Sequence, residues 1–326
     1  MERFDDEGST GSTDVNRTDR SSHRRAVIQA SFVVFLWATS FVLIKIELER
    51  IPALTFAGLR YALAFACLLI PTILSGKLSE LHRLSQERWR QILLLGLLLY
   101  AVTQGASFLA LSYLPAVTVT LLWSFSSVSV ALMGIVWLAE RPTGFQWLGV
   151  GLATVGAVIY FYPARMPEGR GTGLVVAAAG VLANGAAAVL GRKINRRADI
   201  SPLVVTVISM GFGAAVLLAT GIGAQGFPII GVRSWVIIAW LAAVNTAFAF
   251  TLWNHTLRTL SATESSVING TMQIWIPILS VIFLGERLSV VGTVGLVLTA
   301  AGTLVVQLRN PGAVDRLLER RLDGGE

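Results

Sequence analysis

The sequence predicts an all-α membrane protein with ten transmembrane helices, arranged as two inverted five-helix repeats. Three observations predict this fold class. The chain of 326 residues is 54% hydrophobic and 14% charged, with a mean hydropathy of +0.68, and these values lie outside the range of soluble globular domains. It contains ten apolar runs of the length that crosses a hydrocarbon core of ~30 Å. A set of residues also recurs at a fixed offset of 146 positions.

The ten apolar runs predict ten helices in order along the chain. Each run is too long and too continuously apolar for a strand of a membrane barrel. The predicted spans are residues 27–46, 53–74, 91–111, 116–138, 145–162, 172–191, 201–221, 235–256, 265–284 and 290–308. Polar composition assigns residues 1–25 to a disordered cytoplasmic tail. Residues 309–326 form a cytoplasmic tail with the apolar spacing of a short interfacial helix.

An internal repeat relates the two halves of the chain. Leu138, Glu140, Arg141, Gly149, Leu152 and Gly156 recur as Leu284, Glu286, Arg287, Gly295, Leu298 and Gly302. The repeat predicts two units, residues 26–163 and 172–308, with five spans each. An odd number of spans makes the second unit enter the bilayer from the opposite side, an architecture typical of secondary transporters.

The distribution of basic residues predicts the orientation of the helices. With the N-terminus in the cytoplasm, the inner segments carry 19 of the 26 Lys and Arg residues and the outer segments carry six. Cytoplasmic loops are enriched in Lys and Arg. Both termini are therefore expected in the cytoplasm, with the chain in the plasma or inner membrane.

Charge, cysteine and histidine usage exclude other function classes. The net charge of +7 comes from residues in short loops and not from a basic surface, so no nucleic-acid partner is expected. Cys67 is the single cysteine, so no intrachain disulfide forms. The three histidines are far apart and no carboxylate pair lies within a span, so we expect no metal site, no cofactor and no enzyme activity.

Several motifs carry a family resemblance. They are Trp37-Ala38-Thr39-Ser40-Phe41 with Lys45, Gly58-Leu59-Arg60, Leu138-Ala139-Glu140-Arg141, and Pro277 with Leu284-Gly285-Glu286-Arg287. The chain resembles the EamA-type members of the drug/metabolite transporter superfamily over residues 27–308. The resemblance implies a ten-helix exporter or permease for small metabolites, with a central cavity between the halves. Ala131 stands at the position that corresponds to Pro277, so the fourth helix is expected to be straighter than the ninth.

Polar and aromatic side chains inside the spans are the candidate substrate-binding residues. Burying an unpaired amide or hydroxyl costs about 1–3 kcal/mol, so each such group needs a partner or a wet cavity. Three pairs at i, i+4 spacing share a helix face: Tyr100 with Gln104, Trp123 with Ser127, and Asn269 with Gln273. The remaining candidates are Trp37, Ser40, Arg60, Asn184 and Asn245. These faces are expected to converge on one cavity, although helix-to-helix hydrogen bonding is the alternative role for each residue.

Charged residues near the spans allow more than one role. Arg60 lies two turns into the second helix, where it either binds an anionic group of the solute or acts as an anchor. As an anchor it snorkels to the outer interface or pairs with Glu47 or Glu49. Glu286 is expected to cap the helix that follows it or to pair locally. No Asp or Glu falls in the middle of a span, which favours facilitated transport or exchange over strong proton coupling.

The sequence therefore predicts a secondary transporter, a monomer or homodimer in the lipid bilayer. The expected solutes are small metabolites such as amino acids, nucleobases or drug-like amphipathic molecules. A flippase for a lipid or polyprenyl-linked carrier remains the alternative. Small residues are expected to mark close helix contacts: Gly149, Gly151, Gly156, Gly180, Gly295 and Gly302.

Overall fold

The structure, a computed structural model, describes residues 11–138, 143–162, 170–195, 200–257, 259–260 and 262–307. Its regular elements in these ranges are helices. They are α1 Gly11–Glu47, α2 Ala53–Leu74, α3 Gln86–Gly96, α4 Gly105–Tyr113, α5 Ala116–Ser124, α6 Ser126–Leu138, α7 Gly144–Phe161, α8 Arg170–Asn195, α9 Pro202–Gln225, α10 Val232–Ala242, α11 Ala249–Thr256, α12 Ala262–Gly270, α13 Met272–Leu284 and α14 Val290–Gln307. A 3₁₀ turn spans Lys77–Arg83, and π-helical stretches span Leu97–Gln104 and Ala243–Phe248.

The helices follow the predicted spans closely. Within the described residues, nine helical segments are long and apolar enough to cross a membrane. They correspond to the first nine predicted spans. The tenth apolar helix, Val290–Val306, falls short of that length. Some spans consist of two helices joined end to end: α3 continues into α4 through a π-helical stretch, and α10 continues into α11 in the same way.

The N-terminal region differs from the sequence-based prediction. Helix α1 begins at Gly11, so residues 11–25 are helical rather than a disordered tail. Extending an existing helix costs much less free energy than nucleating a new one. The polar stretch directly precedes the apolar span and extends its helix toward the N-terminus. His23 Nε2 lies 3.1 Å from Glu264 Oε1, which ties this end of α1 to α12. The predicted tail at 309–326 and the turn of Glu140 and Arg141 lie outside the described residues.

Helices α7 and α14 form a close contact between the two halves. A Cβ atom built on Gly149 would lie 2.7 Å from the carbonyl oxygen of Gly302, and one built on Gly156 would lie 2.7 Å from that of Gly295. The earlier glycine of one helix thus meets the later glycine of the other, so the helices are antiparallel and the contact is reciprocal. The predicted close contacts are confirmed at these four glycines.

Two other glycines test the same prediction. A Cβ on Gly180 would lie 2.6 Å from Cη2 of Trp123, which confirms a close contact there. Gly151 faces open space, with no atom within 4 Å of the added Cβ. The prediction is wrong for Gly151 because this residue lies on the outer face of α7, away from α14.

The fourth and ninth spans are each interrupted once. α5 ends and α6 begins around Phe125, while α12 ends and α13 begins around Thr271. Each amide donates to a carbonyl three residues earlier, in Phe125 N–H to Leu122 O and Thr271 N–H to Ile268 O, both at 3.1 Å. Both spans carry such a turn, and the ninth turns upstream of Pro277, which lies inside α13; a straighter fourth helix stays a prediction. The two interruptions lie 146 positions apart, the offset of the repeat.

Glu286 caps a helix in the other half of the chain. Its carboxylate accepts hydrogen bonds from the backbone N–H groups of Ala116, at 2.6 Å, and Val117, at 3.1 Å. Helix α5 begins after Pro115, which provides no side-chain cap, so Glu286 supplies it. The expectation that Glu286 caps the following helix is wrong because the turn before α14 brings it to α5 instead.

Lys45 contacts the α4 end of the connection between α4 and α5. Its Nζ atom donates to the carbonyl oxygens of Leu111, at 2.5 Å, and Leu114, at 2.8 Å. These carbonyls belong to the last turn of α4 and the residue after it, where helix carbonyls have no partner within the helix. Lys45 and Glu286 together fix the connection between α4 and α5.

Candidate functional site

A cavity of about 170 Å³ lies at the two interruptions. Its walls come from α1, α5, α6, α8, α12 and α13. The lining residues are Phe41, Thr120, Trp123, Ser124, Ser126, Ser127, Asn184, Asn269, Gly270, Met272, Gln273 and Ile276. The residues that flank Phe125 and Thr271 therefore contribute to the cavity from both halves.

Five of the predicted substrate-binding residues meet at this cavity. They are Trp123, Ser127, Asn184, Asn269 and Gln273. Two of the predicted i, i+4 pairs are fully included. These pairs are also equivalent positions of the repeat, because 123 corresponds to 269 and 127 corresponds to 273 at the offset of 146. The two repeats thus contribute the same two helix positions with different side chains.

Four polar residues of the cavity already have partners within the protein: Thr120, Ser124, Ser127 and Gln273. Gln273 lies 3.2 Å from the Thr303 hydroxyl through its Nε2 atom. Asn184 and Asn269 have no hydrogen bond to another of the residues that the structure describes. The Ser126 hydroxyl is buried and has no partner among them. Asn184 is half-buried and Asn269 is exposed, so these side chains offer donors and acceptors to a bound molecule or to water.

Trp123 forms the aromatic wall of the cavity. Its indole ring lies against Gly180 of α8, where a side chain of any size would collide with Cη2. Gly180 therefore allows the edge of the ring to approach α8 closely. The indole is half-buried, so part of the ring remains available for a ligand to contact.

Arg60 lies outside the described lining of the cavity. Its side chain is 5% exposed, and its Nε atom donates to the Thr246 hydroxyl at 3.2 Å. The guanidinium carbon lies 5.4 Å from the centre of the Tyr61 ring and 6.0 Å from that of Phe108, distances typical of cation–π contacts.

The predicted anchor roles of Arg60 are wrong. Burial of the side chain excludes snorkelling to the interface. Glu47 is engaged elsewhere: its Oε2 accepts a hydrogen bond from the Ser234 hydroxyl at 2.5 Å, and its Oε1 lies 3.9 Å from Arg233 Nε. Glu47 therefore fixes the start of α10, and aromatic rings and one hydroxyl surround Arg60.

Three further candidates lie in α1 or in the eighth span. Trp37 packs against Phe250 and Trp253, with ring centres 5.3 Å apart in each pair. The Ser40 hydroxyl donates to the carbonyl oxygen of Trp37 at 2.6 Å. Asn245 is fully buried and its Nδ2 donates to the carbonyl oxygen of Leu36. Trp37 and Asn245 join α1 to the eighth span, whereas the Ser40 bond stays within α1. None of the three is in the described cavity lining.

The pair Tyr100 and Gln104 also lies away from the cavity lining. Both residues fall in the π-helical stretch Leu97–Gln104. A π-helix pairs residue i with i+5, so residues at i and i+4 no longer lie one above the other. The Tyr100 ring packs against Tyr61, with centres 5.6 Å apart. Sequence reasoning assumed a regular α-helix and missed this change of register.

The cavity also contains residues that the sequence did not single out. Thr120, Ser124 and Ser126 come from the same helix pair as Trp123. Applying the 146 offset to Gln273 and its neighbours would have pointed to the segment around Ser124–Ser127. Phe41, Met272 and Ile276 are apolar residues in apolar helices, and no sequence signal distinguishes them.

A bundle of long apolar helices around a polar cavity defines a membrane transport protein. Residues 24–162 and 171–308 each match the EamA-like transporter family. The chain belongs to this family and is a multi-pass membrane protein.

Similar proteins agree with this assignment, and a solved structure shares the fold. The chain is 23% identical over 298 residues to "Uncharacterized transporter YvbV" of Bacillus subtilis (strain 168), covering 88% of this chain and 92% of that protein. It is 23% identical over 276 residues to an "Uncharacterized transporter" of Archaeoglobus fulgidus, covering 83% and 93%. A crystal structure with 18% identity covers 87% of this chain and 98% of its own, with a TM-score of 0.63. This likeness concerns the fold alone.

Proposed function

We propose that the protein is a secondary transporter that carries small organic metabolites across the cytoplasmic membrane by alternating access. One observation carries the proposal: the cavity forms where one helix of each repeat is interrupted, at equivalent positions of the repeat. Interrupted helices at the interface of two repeats are where secondary transporters bind their solutes. The two halves then rock about the cavity and expose it to each side in turn.

The proposed topology has ten spans in two inverted repeats, with both termini in the cytoplasm. The reciprocal, antiparallel contact between α7 and α14 supports inversion. In a two-fold arrangement, position i of one unit contacts position j of the other, and position j of the first contacts position i of the second. The division of basic residues into 19 inside and six outside supports the orientation.

The size of the cavity favours a small solute over a lipid. A volume of about 170 Å³ is close to that of an engineered protein cavity of about 150 Å³ that holds benzene. A single ring with a few substituents fits this volume, whereas a polyprenyl or acyl chain would have to extend out of it. The described lining carries no carboxylate, which supports facilitated transport or exchange over proton coupling.

Counterflow in proteoliposomes tests this function. Purified protein is reconstituted with pools of unlabelled metabolites inside the vesicles, and uptake of the labelled counterparts is measured. Trp123→Ala and Gln273→Ala should each lower uptake of an active solute at least tenfold while the protein stays monodisperse. Trp147→Ala is the matched control, since Trp147 is 51% exposed on α7. Uptake that survives both cavity substitutions, or that equals the protein-free background for every pool, contradicts the proposal.

A further inference from the structure

We infer that the solute is an uncharged molecule with an aromatic ring and an amide-like hydrogen-bonding edge. This inference rests on the proposed function, because it names the solute class of the same cavity. Three features of the cavity carry it: the chemistry of the lining, the difference between the two repeats, and the helix ends at the interruptions.

The described lining carries no side chain that is ionised at neutral pH. Its polar groups are three carboxamides and four hydroxyls, with aromatic and aliphatic side chains between them. Moving an ion from water to such a site without an opposite charge is costly. Arg60 is the cation that the sequence analysis considered for binding an anionic group. It is enclosed by Thr246, Tyr61 and Phe108. A carboxylate or ammonium group of the solute would therefore have no counter-charge.

The free carboxamides match an uncharged ligand. Asn184 and Asn269 have no partner among the described residues, and each carboxamide offers two donors and an acceptor with two lone pairs. An amide or a ring that presents a donor beside an acceptor satisfies both types at once. A carboxylate only accepts and an ammonium only donates, so either leaves half of the half-buried Asn184 carboxamide without a partner from the solute.

The two repeats make the cavity asymmetric. At the first equivalent position the walls present Trp123 on one side and Asn269 on the other, and at the second they present Ser127 and Gln273. One wall therefore offers an aromatic face and the other offers two carboxamides. A planar solute stacks its ring on Trp123 and turns its hydrogen-bonding edge toward Asn269, because the Gln273 carboxamide is already paired with Thr303.

The helix ends at the cavity also favour no net charge. At Phe125 the C-terminus of α5 adjoins the N-terminus of α6, and at Thr271 the end of α12 adjoins the start of α13. Their partial charges have opposite sign and lie side by side, so they largely cancel. The amides at both turns already donate to carbonyls three residues earlier. The interruptions therefore supply no strong field for an anion or a cation.

Ring compounds that share a skeleton but differ in charge test the inference. Nicotinamide, nicotinate and 3-(aminomethyl)pyridine carry the same pyridine ring with a neutral amide, a carboxylate and an ammonium group. Thermal unfolding of the full chain in detergent and counterflow in proteoliposomes are measured with each compound at neutral pH. Uncharged nicotinamide should stabilise the protein and exchange at least tenfold better than either charged compound. Zwitterionic amino acids form a fourth arm and should resemble the charged pair.

An isosteric charge placed in the cavity provides an independent measurement. Asn184→Asp adds a carboxylate without changing the shape of the side chain, so it should lower nicotinamide exchange at least tenfold and favour the aminomethyl compound. Asn254→Asp is the matched control, because Asn254 is exposed near the end of α11. The control should behave as the unmodified protein does.

Each outcome decides between distinct conclusions. A preference for nicotinate, the ammonium compound or the amino acids, lost in Trp123→Ala, overturns the uncharged class but leaves the transport function standing. The absence of any response to nicotinamide also overturns the inference. If neither these compounds nor the metabolite pools exchange above background, the proposed function fails as well. A preference for nicotinamide that Asn184→Asp reverses supports both.

Discussion

Removing the carboxylate of Glu286 should destabilise the bundle, since this group caps α5 from the opposite half. Its two oxygens accept from Ala116 N–H at 2.6 Å and Val117 N–H at 3.1 Å. A hydrogen bond to a charged group contributes about 1.5–3 kcal/mol, so the lower bound for two such bonds is roughly 3 kcal/mol. Partial exposure of Glu286 and the typical cost of losing a helix cap, about 0.5–2 kcal/mol, argue for a lower figure. We expect Glu286→Ala to lower the free energy of unfolding by about 2–3 kcal/mol.

A graded series of variants separates capping from simple loss of charge. Glu286→Gln keeps one acceptor oxygen and should lose about half as much stability as Glu286→Ala, roughly 1–1.5 kcal/mol. Glu49→Ala removes an exposed carboxylate at the end of α1 and should change stability by less than about 0.5 kcal/mol. Equilibrium unfolding in mixed micelles, followed by tryptophan fluorescence, measures all three. Equal losses in the Gln and Ala variants, or a Glu286→Ala variant as stable as the control, would refute the capping argument.

Three further predictions concern packing, the buried cation and topology. Gly302→Ala places a Cβ 2.3 Å from Ala153 N and should lower the free energy of unfolding by about 1–3 kcal/mol. Gly151→Ala places its Cβ in open space and should be neutral or slightly stabilising. Unfolding titrations that rank the two variants the other way contradict this packing. Arg60→Met removes a buried cation that has a hydroxyl and two aromatic rings around it, and it should leave the free energy of unfolding unchanged or higher. A decrease of more than about 3 kcal/mol in the same titration contradicts this prediction, because it requires a further stabilising partner of Arg60. A cytoplasm-specific reporter fused to the C-terminus should be active, and activity of a periplasm-specific reporter there instead rules out the proposed orientation.

Local hydropathy made the spans predictable from the sequence. The apolar length of each run depends only on neighbouring residues, so all ten runs reappear as helical segments. The positions of the interruptions were not predictable in the same way. Pro277 suggested a bend in the ninth span, but the turn lies at Thr271, and an equal turn lies at Phe125 without any nearby proline. Gly270 directly precedes the turn at Thr271, whereas no glycine or proline adjoins Phe125, so a local breaker accounts for one interruption and not for the other.

The sequence alone could not decide which of the polar residues within the spans line the cavity. Asn184 and Asn245 look alike in the sequence, because both are carboxamides near the middle of a span. Asn184 faces the cavity, while Asn245 donates to the carbonyl oxygen of Leu36 on another helix. Which of these occurs depends on contacts between residues far apart in the chain. The repeat offset carried more information, since it pairs Trp123 with Asn269 and Ser127 with Gln273.

The reciprocal glycine seam of α7 and α14 has the geometry of a homodimer interface contained in one polypeptide. In a true two-fold homodimer, every substitution occurs twice, so both walls of a central site must change together. Fusion into one chain removes that restriction. The seam can keep Gly156 against Gly295 unchanged while position 123 remains an indole and position 269 a carboxamide. A chain of this kind can therefore adapt to ligands with two unlike ends without altering the frame that holds its halves together.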